Sequence, residues 1–190
     1  MTRSGVIIDD YSPDWPRRAE ALIAAVLAAS RGSISRVEHI GSTSIPGMAA
    51  KDVIDLQASV DDLAQAVDAL DGPLAEMGFV REPYGHDHVP AGSDDDPERW
   101  VKLMWSRREH PDGNVNLHVR VAGAPNERLA LLFRDWFRTH PEAVPAYAAF
   151  KRTLAAELAD AGAYPDVKDP VVDLVVVVAE AWAADTGWSV

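Results

Sequence analysis

Gly41-Ser42-Thr43-Ser44 is a run of small and hydroxyl residues, and Lys51 and Asp55 follow it closely. A Gly-Ser turn leaving a strand exposes successive backbone N–H groups and hydroxyls, a concavity that suits phosphate or another compact anion. From Val53 to Gln57 a strand's alternation puts Val53, Asp55 and Gln57 on one face, with Ile54 and Leu56 on the other. An acid in so apolar a segment calls for a partner, because burying a charge unpaired is costly. Downstream, Asn116, His118 and Arg120 share one face of a second alternating segment, opposite Leu117, Val119 and Val121. On adjacent strands Asp55, Gln57 and His118 could converge beside the turn.

Lys51, Lys102, Arg120, Arg134, Arg138, Lys151 and Lys168 are the cations available to grip a polyphosphate or similar ligand. Arg134 and Arg138 stand four apart on one helix face, and paired guanidinium groups make a sensible clamp. Pairing of Arg138 with Asp135 or Glu142 is the competing reading. His39 reads as a residue that orients the turn. His86-Asp87-His88 is a weak pattern for a transition metal and reads as part of a solvated loop, as does Asp94 to Asp96. Ser42 lacks the Gly-x-Ser-x-Gly setting of a hydrolase nucleophile.

The elements that must position these groups follow from local signals. Ser12-Pro13 opens a helix that runs to about Ala29 and stops at Arg31-Gly32. Alternation over 33–40 predicts a strand delivering the turn, and 52–58 predicts another. A helix then runs from about Asp62 to Leu70, broken by Asp71-Gly72-Pro73. Phe79 to Arg81 predicts a strand, 84–98 a surface loop, and 99–107 with 115–121 an antiparallel pair about the Pro111-Asp112-Gly113-Asn114 turn. The rest predicts helices: one from an Asn126 cap to Arg138, one carrying Val144, Tyr147, Phe150 and Leu154, and one capped by Asp169-Pro170. Strands alternating with helices and short loops give an α/β (α+β) mixed sheet with flanking helices. The expected division is a core over 1–122 and a helical layer over 123–190.

Composition limits what this assembly can be. The chain has 190 residues, 47% hydrophobic and 25% charged, as a globular protein does. It has no cysteine, so disulfides and cysteine-ligated zinc are excluded. The net charge of −12 argues against a non-specific nucleic-acid binder, so nucleic acid is not an expected partner. Yet residues 99–152 hold ten Lys and Arg against five acids, enough to surround a small anion. The start, Met1 to Ile8, has too short an apolar core for a signal peptide, and Val171 to Ala184 is too short and too charged to span a bilayer. The expectation is a soluble, cytoplasmic protein with no membrane partner.

The stretch from His39 to Lys51, H-I-G-S-T-S-I-P-G-M-A-A-K, resembles the signature of the GrpB-like family of nucleotidyltransferase-fold proteins. More narrowly, the chain resembles the GrpB-like domain at the C-terminus of some actinobacterial dephospho-CoA kinases. Phe133 to Pro141, Tyr147 to Lys151, Tyr164 to Asp169 and Glu180 to Trp188 continue that likeness, so it covers most of the chain. No Gly-x4-Gly-Lys-Ser/Thr phosphate loop of the kinase half is present. The resemblance implies a nucleotidyltransferase-like fold whose Gly-Ser turn, here Gly41 to Ser44, holds phosphate. It implies Lys51, Arg134, Lys151 and Lys168 as ligand cations. It also implies a strand bearing Asp-x-Asp for Mg2+ or Mn2+, and here that strand reads Asp55-Leu56-Gln57. Asp55 and Gln57 are then the expected metal ligands, and Asp55 and His118 the expected catalytic pair. Two functions stay open. One is transfer of a nucleoside monophosphate from a nucleotide to an unidentified acceptor. The other is a non-catalytic regulatory or folding-partner module tied to dephospho-CoA kinase and coenzyme A metabolism.

Overall fold

The computed structural model describes residues 5–190. Five strands form one mixed sheet: β1 (Arg36–Ile40), β2 (Val53–Val60), β3 (Val80–Arg81), β4 (Leu103–Arg107) and β5 (Asn114–Val121), in the order β1-β2-β5-β4-β3. β2 and β5 run parallel at the centre, and the other neighbours are antiparallel. The register sets Asp55 against Asn116 and Gln57 against His118, so the two polar stripes read from the sequence lie side by side.

The opposite face of β2 carries Ile54, Leu56 and Ala58 into the main core. Two helices cover it, α1 (Asp14–Ser30) and α2 (Leu63–Glu76). α1 buries Trp15, Ala19, Leu22 and Val26, a stripe at helical spacing. α2 starts at the Asp62 cap, whose side chain accepts from Gln65 N at 2.8 Å. It does not stop at Asp71-Gly72-Pro73 but continues through Pro73. Leu70 and Leu74, four apart and fully buried, hold both sides of the proline to the sheet, so packing outweighs the backbone bond lost there.

The polar face of the sheet is covered by α3 (Pro125–Thr139), α4 (Val144–Glu157) and α5 (Tyr164–Thr186). Phe133, Phe137 and Tyr147 meet Ile45 and Met48 from the loop after the Gly-Ser turn, forming a second apolar cluster. α3 begins one residue before Asn126, whose side chain serves the interior instead of capping. α5 begins at Tyr164, not at Asp169-Pro170; buried Tyr164 anchors its first turn, and Pro170 sits inside the helix. β4 is shorter than the expected strand because Pro97 to Trp100 winds into a 3-10 turn capped by Asp96, burying Trp100. Among the described residues no helix is long and apolar enough to cross a membrane.

Candidate functional site

β1 hands the chain to Gly41, whose φ of 68° and ψ of −172° lie where a residue with a β-carbon is strained. A 3-10 turn follows over Ser42–Ser44, with Ser44 N and Oγ both donating to Gly41 O at 3.2 and 2.6 Å. Arg138 braces the turn from α3, its Nε and Nη2 donating to Ser44 O at 3.1 and 2.9 Å. His39 Nε2 lies 2.9 Å from Thr43 Oγ1. Burial lowers the His39 pKa to about 4; Asp55 pulls it up, but Arg138 and Arg134 push it down, so the ring is neutral at pH 7. The turn is thus set by its neighbours before any ligand arrives.

Asp55 projects beside this turn with its side chain 28% exposed. Asn116 Nδ2 donates to its Oδ1 at 2.7 Å. His118 Nε2 stands 3.9 Å from the same oxygen, too far for a hydrogen bond. Burial pushes the Asp55 pKa up, but His118, Asn116 and His39 outweigh it and hold the carboxylate below its usual value. Burial in turn lowers the pKa of His118, whose Nδ1 is sealed without a partner among the described residues.

Around this one carboxylate stand lysines from different parts of the chain. Lys151 on α4 is 2% exposed and donates from Nζ to Ser42 Oγ at 2.8 Å. Burial, with Lys168 and Arg152 adding to it, lowers the Lys151 pKa to about 7, while Asp55 opposes the shift. Lys51 places its ammonium 4.5 Å from the centre of the Tyr164 ring. Burial also lowers the pKa of Lys51 and of Lys168 on α5, and Asp55 is near enough to oppose both shifts. Arg108 reaches the same edge, donating to Val115 O at 2.8 Å and to the Asn116 side-chain oxygen. Asp169 lies 3.8 Å from Lys168 Nζ and offsets it, which leaves Lys51, Lys151 and Arg108 beside Asp55 and the turn, an arrangement that attracts an anion.

Other expected ligands are used elsewhere. Lys102 and Arg120 do not reach the hollow. They close on Asp87, Lys102 Nζ at 2.6 Å and Arg120 Nε and Nη2 at 2.8 and 3.1 Å, and Asn126 Nδ2 adds a fourth bond at 3.0 Å. The reading of His86-Asp87-His88 as a solvated loop is corrected on this point: Asp87 is an interior counter-ion. Burial pushes its pKa up, but Arg120 and Lys102 outweigh burial and hold it far below the usual carboxylate range. Arg134 bonds Glu38 at 2.7 Å and Asp135 at 2.7 Å, and donates to His39 O at 3.2 Å, so it secures β1 to α3. Glu127 escaped the sequence reading. It is 1% exposed and takes bonds from Arg36 at 2.8 Å, from Gly123 N at 2.7 Å and from Ser59. No spacing signal marks it, because its partners come from β1, β2 and its own loop.

Gln57 decides how well a metal fits. Mg2+ takes oxygen ligands, commonly one or two carboxylates joined by substrate phosphates. Gln57 is completely buried, its Oε1 accepts from Arg120 Nη1 and its Nε2 donates to Glu127 O at 3.2 Å. It has no oxygen to offer at the surface where Asp55 opens. Among the described residues no group of three or more His, Cys, Asp or Glu is placed to hold a metal ion. The donor set does not fit the two-ligand cage expected from Asp-x-Gln; Asp55 stands alone. Cavities of about 420 and 520 Å³ lie away from Asp55, one between Arg36 and Trp188 and one between Arg18 and Arg107.

Residues 5–177 match the protein family described as GrpB protein. The chain belongs to the GrpB family. It is 36% identical to a dephospho-CoA kinase of Mycolicibacterium paratuberculosis over 201 residues, covering 99% of this chain and 49% of the kinase. It thus spans about half the length of the curated kinases it matches. A UPF0157 protein of Halalkalibacterium halodurans is 30% identical, over 91% of this chain and 82% of that protein. The crystal structure of conserved protein GrpB from Enterococcus faecalis superposes with a TM-score of 0.70 at 26% identity, over 93% of this chain and 99% of that one. The Cid1 poly(U) polymerase with MgGTP bound shares the fold at a TM-score of 0.50 and 15% identity, over 76% of this chain and 43% of that one. The GrpB chain therefore has the nucleotidyltransferase-like fold that the resemblance implied.

Proposed function

We propose that this GrpB protein binds a phosphorylated small molecule of the nucleotide class in the hollow around Gly41, Ser42, Asp55 and Lys151, and holds it chiefly by lysine charge. One observation carries the reading: Lys151, almost wholly buried, donates from Nζ to Ser42 Oγ at 2.8 Å, on the turn that packs directly against the Asp55 carboxylate. A phosphate entering here meets the Ser42 hydroxyl, the ammonium groups and the neighbouring turn amides; the Thr43 hydroxyl is buried on His39 and Val53 O and stays within the turn. A Mg2+ or Mn2+ carried in on the phosphates would find Asp55 as its one protein ligand, since Gln57 is engaged by Arg120 and Glu127. His118, kept neutral by burial, lies with its Nε2 3.9 Å from the Asp55 carboxylate and would be the base on that side of the site.

The setting of Gln57 favours binding over nucleotidyl transfer, since the second metal-binding position of the fold is tied up beneath Arg120. The match to half of a dephospho-CoA kinase fits a module that serves coenzyme A metabolism by holding a nucleotide or dephospho-CoA. Incubation with each nucleoside triphosphate in Mg2+, in Mn2+ and in EDTA separates the two readings. Saturable binding that persists in EDTA, with no pyrophosphate released, supports the module. Pyrophosphate release that Asp55→Asn abolishes establishes the transferase instead.

A further inference from the structure

The opposite face of the sheet carries a second charged feature that the Asp55 hollow does not explain. In the register of β4 and β5, Arg107 pairs with Val115, and Val115 faces the core beneath α1 and α2. Arg107 thus points away from Asp55, into the region where Arg18 descends from α1. The two line a cavity of about 520 Å³ together with Ala21, Leu22, Ala25 and Met77. That volume suits a small-molecule ligand.

Both guanidinium groups are left incomplete. Arg107 is 5% exposed, and its Nε and Nη2 are buried with no hydrogen-bond partner among the described residues. Arg18 has the same two atoms buried and unpartnered. Nε with Nη2 is the edge that meets a carboxylate or phosphate through two parallel bonds. Nearby acids do not fill these edges. Asp14, Asp52 and Asp112 line the same cavity with Arg17, but of the Arg18 nitrogens Asp52 takes only Nη1, at 2.5 Å, Asp14 is held by Arg17 at 2.6 Å, and exposed Asp112 lies 3.5 Å from His110. The Phe79 ring lies 5.3 Å from the Arg107 guanidinium and supplies no acceptor oxygen. Leaving buried charged donors unmet costs more than leaving neutral ones unmet, so the arrangement fits an absent acceptor.

The cavity is also shaped around these side chains. Gly113 has φ of 90°, and a β-carbon there would collide with the Arg18 guanidinium. The turn between β4 and β5 thereby leaves room for Arg18 to lie flat against the backbone. Burial lowers the Arg107 pKa; Asp112 opposes this and Arg18 adds to it, as neighbouring cations do.

We propose that this cavity binds an oxyanion, phosphate or carboxylate, carried on a short apolar body. The head group bridges the unpaired Nε–Nη2 edges of Arg18 and Arg107 once a turn of their terminal torsions brings these buried edges to the cavity, and the body lies against Ala21, Leu22, Ala25 and Met77. Trp15 supplies the readout, because its indole Nε1 donates to Asp52 Oδ1 at 2.8 Å and the same oxygen accepts from Arg18. Nitrogen-15-labelled protein is titrated with butyl phosphate, butyrate and butanol, following the indole resonance that Trp15→Phe removes. The expected result is a saturable shift with at least one of the two anions, about tenfold or more tighter than with butanol. The tighter of the two identifies the head group. Arg107→Gln weakens that binding by about tenfold, and Lys151→Met, on the other face, leaves it unchanged. Arg18→Gln, at a more exposed position, gives the same loss and serves if Arg107→Gln does not fold. No saturable shift, anions no better than butanol, or full affinity in the folded Arg variants overturns the proposal.

Discussion

Gly41 and Asp55 are packed against each other so closely that a β-carbon on Gly41 would come within 2.6 Å of Asp55 Oδ2. The glycine is required twice over, by its positive φ and by this approach. Gly41→Ala must shift the turn or turn the carboxylate away. The expected cost is about 1–3 kcal/mol of stability, with weaker phosphate binding at the same time. Urea unfolding and a phosphate titration check it; an unchanged midpoint and affinity would show that the contact is slack.

Lys151 makes stability depend on pH in a defined window. Its folded pKa of about 7 lies below the ordinary 10.5. Between those values the unfolded chain holds a proton that the folded lysine has released, so stability rises with pH there. Below the folded value both states are protonated and the penalty is complete. In Lys151→Met the rise between about pH 7 and 10 should disappear from urea unfolding curves. The same rise in wild type and variant would contradict the burial of this amine.

His39 acts at the acid end. Its folded pKa of about 4 lies below the ordinary 6.5, so protons bind the unfolded chain first as pH falls between them. Stability contributed by the neutral ring is therefore lost over that interval. His39→Gln should flatten this part of the thermal stability profile, and a profile as steep as wild type would assign the acid sensitivity to other groups.

Asp87 neutralises Lys102 and Arg120 at once, and both are nearly inaccessible to water. Asp87→Asn leaves that positive charge unbalanced, and the expected loss is about 3–5 kcal/mol in urea unfolding. A loss well under about 1 kcal/mol would mean that water replaces the carboxylate there, as at a surface pair.

How far the sequence shows these features depends on the range of the interactions involved. Alternation over Val53 to Gln57 and over Asn116 to Arg120 is local, and it placed Asp55 and His118 on the face where the structure has them. The turn from His39 to Lys51 was legible because small residues and glycines in series have few other uses. The closure of Lys102, Arg120 and Asn126 on Asp87 was not, since those residues are far apart in the chain and no periodicity links them. Gln57 shows the same limit: its position on the strand was readable, but Arg120 and Glu127, which occupy its amide, were not. Under local rules Pro73 reads as a helix break and Pro170 as the start of a helix. The structure continues both helices because buried residues on each side of the prolines hold the chain to its neighbours.

Calorimetric titration of a nucleoside triphosphate into wild type and Lys151→Met, each in EDTA and in Mg2+, tests the lysine-held phosphate site most directly. The expected result is wild-type binding in EDTA that Lys151→Met weakens by about tenfold or more. Binding that appears only with Mg2+, or that Lys151→Met leaves intact, would contradict it.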